Sequence, residues 1–343
     1  MTAYMTTCVF VDLPNLVRCA IAAGVSASGR TQDDKPYICL AAAQGSLQAL
    51  KVLLSSGASP AATDALGNIA LFEAIMSKFT ECARVLLPLS DLGHTNLRGK
   101  NALHACVLTA NQECFDLVLP LVSDVDARSV RGYNSEGQAM PSFCQTALHL
   151  ACQRGQHKMV KALLKRGASR TARDFGERTP LHCAAEVGHL SCIILLLGSA
   201  AKANAMDREA VDATDGNGRT ALHSAAYHGH TPCCGALIAA GASLEATADD
   251  GARPLTYVQQ RHPAKQELST LLASGATTSR TPGTVCDSCG EPAVPGKSLK
   301  SCTGCYAARY CSVACGQARW PLHREECQQK KAYREYLTRV NLS

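Results

Sequence analysis

The sequence predicts a mainly α protein in two parts, a solenoid of stacked helical repeats followed by a small finger folded around metal. Three observations predict it. A Leu-His-centred segment recurs through most of the 343 residues with intervals of 33 between equivalent positions. Hydrophobic residues make up 46% and aromatics only 5%, which suits Ala- and Leu-based helix stacking better than an aromatic-lined pocket. Eight cysteine and histidine residues at short spacings crowd the last sixth of the chain.

The strongest repeats are "TALHLACQRGQHKMVKALLKRGAS" (146–169), "TPLHCAAEVGHLSCIILLLGSA" (179–200) and "TALHSAAYHGHTPCCGALIAAGAS" (220–243). Each has a T-x-L-H start, a small-residue helix, Gly and a second apolar helix. Weaker copies read 37–59, 69–90 and 101–122, with Cys39, Phe72 and His104 at the histidine position. Cys39 to Phe72, His149 to His182 and His223 to Thr256 each span 33 residues. His104 to His149 and His182 to His223 run 12 and 8 residues longer, which predicts insertions near 131–143 and 207–214. The segment 15–29 matches a second helix alone and reads as an N-terminal half-repeat cap.

Each unit has a physical logic. Thr146, Thr179 and Thr220 are placed to cap the first helix while the histidine three residues on reaches back, a variant of the reciprocal capping box. Ala151, Ala184, Ala185, Ala225 and Ala226 let that helix pack closely. Leu163, Leu164, Leu195, Leu196, Leu237 and Ile238 supply the apolar face of the second helix. Gly167 and Gly241 end it in the left-handed conformation. One unit cannot bury its own apolar face, so about six are expected to stack behind the cap. The period and motif resemble the ankyrin repeat, and residues 1–276 are read as one such array.

The finger ligands are Cys286, Cys289, Cys302, Cys305, Cys311, Cys315, His323 and Cys327, spaced C-x2-C, C-x2-C, C-x3-C and H-x3-C. Eight such donors make two closed tetrahedral zinc shells with no open position, so both ions are expected to be structural. The segment Tyr310 to Cys327 resembles the MYND zinc finger. That resemblance implies interleaved sites, with Cys286, Cys289, Cys311 and Cys315 on one zinc and Cys302, Cys305, His323 and Cys327 on the other. It also implies binding of short proline-rich peptides in a groove that uses Trp320. Gly316 stands where the family carries glutamine. Gln317 is displaced by one residue, about 100° around a helix, so Trp320 is read either in a groove or in the finger's core. A ubiquitin-ligase RING has a different Cys/His order. The SET methyltransferase domain that accompanies some MYND fingers has no room beside the repeats.

Of nineteen cysteines, those outside the finger scatter without a disulfide framework, which predicts a reducing, intracellular compartment, cytoplasmic or nuclear. The N-terminal stretch carries Asp12 and no basic region ahead of its apolar residues, so no export signal is expected. No apolar run reaches ~18 residues, so no membrane insertion is expected. The formal charge of +6 falls by about three once thiolates hold two zinc ions, and Lys and Arg are dispersed, which argues against nucleic acid. No small-molecule substrate is implied. Recurring histidines and helical cysteines read as structural, with Cys233-Cys234 the one pair to test for oxidation.

The domain reading is an array at 1–276, a linker at 277–285 broken by Pro282-Gly283, the finger at 286–327, and a tail at 328–343 with helical spacing. The expected function is a non-enzymatic adaptor, the array and the finger each binding a protein or peptide. The alternative is a transcriptional co-regulator acting at chromatin, through recruited enzymes or direct nucleic-acid contact.

Overall fold

The computed structural model describes residues 2–129, 144–198 and 210–276, and the strand pairs 132–133 with 139–140 and 300–301 with 309–310. The chain divides into two compact units, Met1–Leu272 and Ala273–Ser343. The first is a stack of antiparallel helix pairs, eight of them among the described residues. In order they are α1 Thr2–Phe10 with α2 Pro14–Ala22, α3 Tyr37–Gln44 with α4 Leu47–Ser55, α5 Ala70–Met76 with α6 Thr80–Leu86, and α7 Ala102–Thr109 with α8 Gln112–Val118. Then follow α9 Ala147–Gln153 with α10 His157–Lys165, α11 Pro180–Val187 with α12 Leu190–Leu197, α13 Ala221–Tyr227 with α14 Thr231–Ala239, and α15 Pro254–Arg261 with α16 Gln266–Ala276.

The first helices are short because they are punctuated at both ends. An extended cap residue such as Thr146, Thr179 or Thr220 starts most of them. A residue with positive φ stops it, Gly45 at +74°, Gly188 at +85° and Gly229 at +72°. Their alanines do what the sequence requires: Ala151, Ala184, Ala185, Ala225 and Ala226 are fully buried, and successive first helices pack directly on one another. The second helices bury one stripe each, as Met159, Val160 and Leu163 do on α10. Gly167 and Gly241 follow these helices at φ +89° and +92°, the predicted left-handed stops.

The N-terminal cap corrects the sequence reading. It is a complete helix pair and not a half-repeat: α1 precedes α2 and buries Met5, Cys8 and Val9. Its sequence, TAYMTTCVF, lacks the T-x-L-H start, so the repeat signature does not detect it.

The predicted insertion at 131–143 lies outside the described residues apart from β1 Gly132–Tyr133 and β2 Ala139–Met140, which pair antiparallel. Of the second, at 207–214, residues 207–209 lie outside them too. In the second unit, β3 Lys300–Ser301 pairs antiparallel with β4 Arg309–Tyr310. The linker 277–285 and the tail 328–343 lie outside the described residues.

Candidate functional site

The histidine column of the array forms a ladder. The backbone N–H of each cap residue donates to the Nδ1 three residues on: Asn101 to His104 at 3.4 Å, Thr146 to His149 at 3.3 Å, Thr179 to His182 at 3.2 Å and Thr220 to His223 at 3.1 Å. In the three Thr boxes the threonine hydroxyl also lies 2.9 Å from Nδ1, so Nδ1 accepts, and Nε2 carries the proton and donates across to the following helix pair. His104 Nδ1 instead lies 2.6 Å from Asn101 Oδ1, while its Nε2 reaches across in the same way. The Nε2 acceptors are the carbonyls of Gln145 (3.0 Å), Arg178 (3.0 Å), Arg219 (2.9 Å) and Ala252 (3.2 Å). Each acceptor belongs to the residue just before the next cap. The four rings are buried, and burial is the main cause that lowers their pKa values, that of His104 to about 4. They are neutral rivets between repeats.

A second set of contacts runs along the ends of the first helices. The His189 ring lies over Gly155 and the His230 ring over Gly188, where an added Cβ would meet ring atoms at 2.7 and 2.6 Å. His230 Nε2 donates to the Glu186 carbonyl at 3.1 Å and His262 Nε2 to the Tyr227 carbonyl at 2.9 Å. These histidines too are engaged by the neighbouring repeat.

Ten of the twelve thiols among the described residues are equally withdrawn, Cys19 and Cys144 being the others. Burial pushes Cys39, Cys183 and Cys234 up to about 12 and Cys82, Cys192 and Cys233 up to about 11. A protonated, enclosed thiol is a small core hydrophobe and a poor nucleophile. Cys233 and Cys234 are adjacent on α14 and both buried, which places them in the core.

The residues before the caps form another column, in which Lys35, Arg178 and Arg219 are partly exposed. Lys35 pairs with Glu73, which also accepts from Asn68 Nδ2 at 3.0 Å. Arg178 is held twice. Its Nε and Nη2 donate to Asp174 Oδ2 at 3.1 and 2.9 Å, and its Nη1 to Glu186 Oε2 at 3.1 Å. Arg219, the next in the column, has a different setting: its guanidinium carbon lies 5.8 Å from the Tyr227 ring centroid and 5.7 Å from that of Tyr257. Those rings meet edge to face at 5.5 Å, and Arg261 lies 4.0 Å over Tyr227. The sequence reading missed this cluster. Its signal was available: Arg178 to Glu186 and Arg219 to Tyr227 have the same spacing, with tyrosine replacing the carboxylate.

The sequence-predicted metal ligands Cys286, Cys289, Cys302, Cys305, Cys311, Cys315, His323 and Cys327, and the peptide-binding candidates Trp320 and Gln317, lie outside the described residues. Cys302 directly follows β3 and Cys311 directly follows β4. Among the described residues no group of three or more His, Cys, Asp or Glu side chains is arranged to hold a metal ion, and no helix is long and apolar enough to cross a membrane.

Stacked helix pairs riveted by a cap-and-histidine ladder define the ankyrin-repeat class, and comparison with known proteins agrees. The family model "Ankyrin repeats (3 copies)" matches residues 38–129 and 131–207, and "Ankyrin repeat" matches 217–249. "MYND finger" matches 286–327. The chain belongs to the ankyrin-repeat proteins and carries a MYND-type zinc finger. Both modules bind proteins or peptides in general, and the finger is a zinc-binding domain.

Among relatives, E3 ubiquitin-protein ligase KEG of Arabidopsis thaliana is 27% identical over 58% of this chain but only 15% of its own length. Inversin of Canis lupus familiaris is 35% identical over 29% of this chain and 8% of its own. A B-cell lymphoma 3 protein homolog of Mus musculus is 30% identical over 44% of this chain and 33% of its own. The chain thus spans a third or less of these relatives. The human ASB11 ankyrin repeat domain superposes with a TM-score of 0.55 at 22% identity, covering 69% of this chain and 96% of that one, a likeness of fold.

Proposed function

We propose that this chain is a non-enzymatic adaptor in which the array holds one protein and the finger holds another protein or a short, proline-rich peptide. The observation that carries the reading is the presence of two different interaction modules on one chain. A further support is the way the array spends its buried histidines and thiols on packing and inter-repeat hydrogen bonds and not on a reactive site.

In this reading the modules are the array at 1–276, the linker at 277–285, the finger at 286–327 and the tail at 328–343. Cys286, Cys289, Cys311 and Cys315 hold one zinc, and Cys302, Cys305, His323 and Cys327 hold the second. The donor chemistry fits: seven thiols and one imidazole are the sulfur and nitrogen ligands that zinc takes, four to a closed shell. The metal then supplies structural fastening alone. Trp320, with Gln317 beside it, is the candidate peptide contact. The twelve cysteines of the described residues are all free, in keeping with an intracellular protein of the cytoplasm or nucleus.

The test compares partners captured from native cells by the intact chain and by the chain carrying Cys302→Ser and Cys311→Ser. The expected result is loss of one set of partners and retention of another. If every partner survives, the finger only completes the fold and the two-handed reading fails. DNA retention that falls steeply with salt would instead favour action at chromatin.

A further inference from the structure

Arg178 and Arg219 hold the same place in consecutive repeats. In the first, Asp174 and Glu186 satisfy the guanidinium from two sides. In the second, Asp215 spends Oδ1 on the backbone N–H groups of Asn217 and Arg219, both at 2.9 Å, and Tyr227 stands where the second carboxylate was. Arg219 Nε is buried without a hydrogen-bond partner. Among the described residues no carboxylate lies within ion-pair distance of Arg219 or Arg261. Asp250 is close by, but Oδ2 accepts from the Tyr257 hydroxyl at 2.7 Å and Oδ1 from the Ala252 N–H at 2.9 Å.

Two guanidinium groups therefore converge on one tyrosine ring with no carboxylate in ion-pair contact with either. Asp250, whose carboxyl the Tyr257 hydroxyl holds below the usual range, still lies near enough for Arg219 to help. The negative ring faces hold each cation, but the cations repel one another. A planar, weakly hydrated guanidinium flanked by aromatic rings is suited to take a carboxylate through paired N–H donors. Arg261 and His228 are exposed, and Arg219 and Tyr227 are partly so, which leaves the cluster open to a partner. Lys265, whose Nζ donates to the Gly229 carbonyl at 2.7 Å, adds positive charge beside it.

We propose that Arg219 and Arg261, framed by Tyr227 and Tyr257, form a receiving site for an aspartate or glutamate side chain on an acidic segment of a protein partner. The incoming carboxylate does for Arg219 what Glu186 does for Arg178. The proposal rests on the array binding proteins and adds the chemistry of what it binds.

The test titrates the zinc-loaded full-length chain with fluorescent octaglutamate and, separately, octaglutamine at about 50 mM salt, where charge pairing is weakly screened. Octaglutamate is expected to bind saturably and octaglutamine not. Arg219→Gln and Arg261→Gln should each weaken binding by about fivefold or more, and Arg219→Lys should restore only part, because it keeps the charge and loses the fork. Lys51→Gln, a charge lost on α4 far along the array in sequence, should change nothing. Unfolding curves of the variants separate lost binding from lost fold, and the exposed Arg261 supplies the variant expected to disturb the fold less.

Equal binding of the two peptides overturns the site, as does equal weakening by all the charge variants. Tenfold tighter binding of a phosphoserine peptide reassigns it to phosphate and overturns the carboxylate assignment. These outcomes leave the adaptor reading intact, which stands or falls on the zinc-ligand capture comparison.

Discussion

His182 illustrates how much one side chain carries in this array. Its Nδ1 receives the Thr179 N–H and its Nε2 reaches the Arg219 carbonyl, so one ring closes a helix start and joins two repeats. His182→Ala leaves the Thr179 N–H buried without its acceptor, takes one of two donors from the Arg219 carbonyl, which still accepts from the Asp215 N–H at 2.8 Å, and opens a void, for an expected cost of about 2–4 kcal/mol in urea unfolding. The same rings set a pH response. Burial lowers the pKa of His104 to about 4 and shifts His149, His182 and His223 in the same direction. In the unfolded chain imidazoles take up protons near 6.5, so between the two values the native state binds fewer protons. Stability is therefore full above about pH 6.5 and declines as the pH falls towards 4, by up to about 1.4 kcal/mol per histidine per pH unit. A urea midpoint that is the same at pH 7.5 and 5.5 would refute this.

At the scale of the element, helix ends discriminate between two kinds of glycine. Gly188 has φ +85° and the His230 ring directly above it, whereas Gly167 has φ +89° and nothing within 4 Å of where a Cβ would stand. Gly167→Ala should cost about 1–2 kcal/mol through backbone strain alone. Gly188→Ala should cost more, because the ring that donates to Glu186 must move, and thermal unfolding by circular dichroism would rank the two. The Thr-His boxes and the glycine stops were legible in the sequence because they are made within one unit, three or four residues apart. The ring over Gly188 and the bond from His182 to Arg219 were not, since they exist only once neighbours stack. α1 escaped notice for a related reason: TAYMTTCVF makes its case by burying Met5, Cys8 and Val9 against the next pair, without a local start signal.

For the whole molecule, the two parts draw stability from different sources. The array stacks apolar faces through neighbouring pairs. A finger of this size has too little core of its own, so metal is expected to supply most of its folding free energy. Chelation should change the emission of Trp320, the chain's only tryptophan, while leaving most of the helical circular dichroism in place. Unchanged emission in protein shown to have lost its zinc would break that link. The ligand identities were legible because donor type and spacing determine what metal they suit. Their division between two ions rested on family resemblance, and the Arg219 cluster required seeing which carboxylate was absent.

The histidine ladder also gives the array a mechanical direction. It begins at His104; upstream, Phe72 cannot make the bond and Cys39 offers only a thiol 3.7 Å from the Asn68 carbonyl. Stretched between its ends at neutral pH, the solenoid should yield first among α1–α6, while the riveted pairs from α7 to α15 stay together to a higher force. One protein would thus present a compliant end and a stiff end to whatever it tethers.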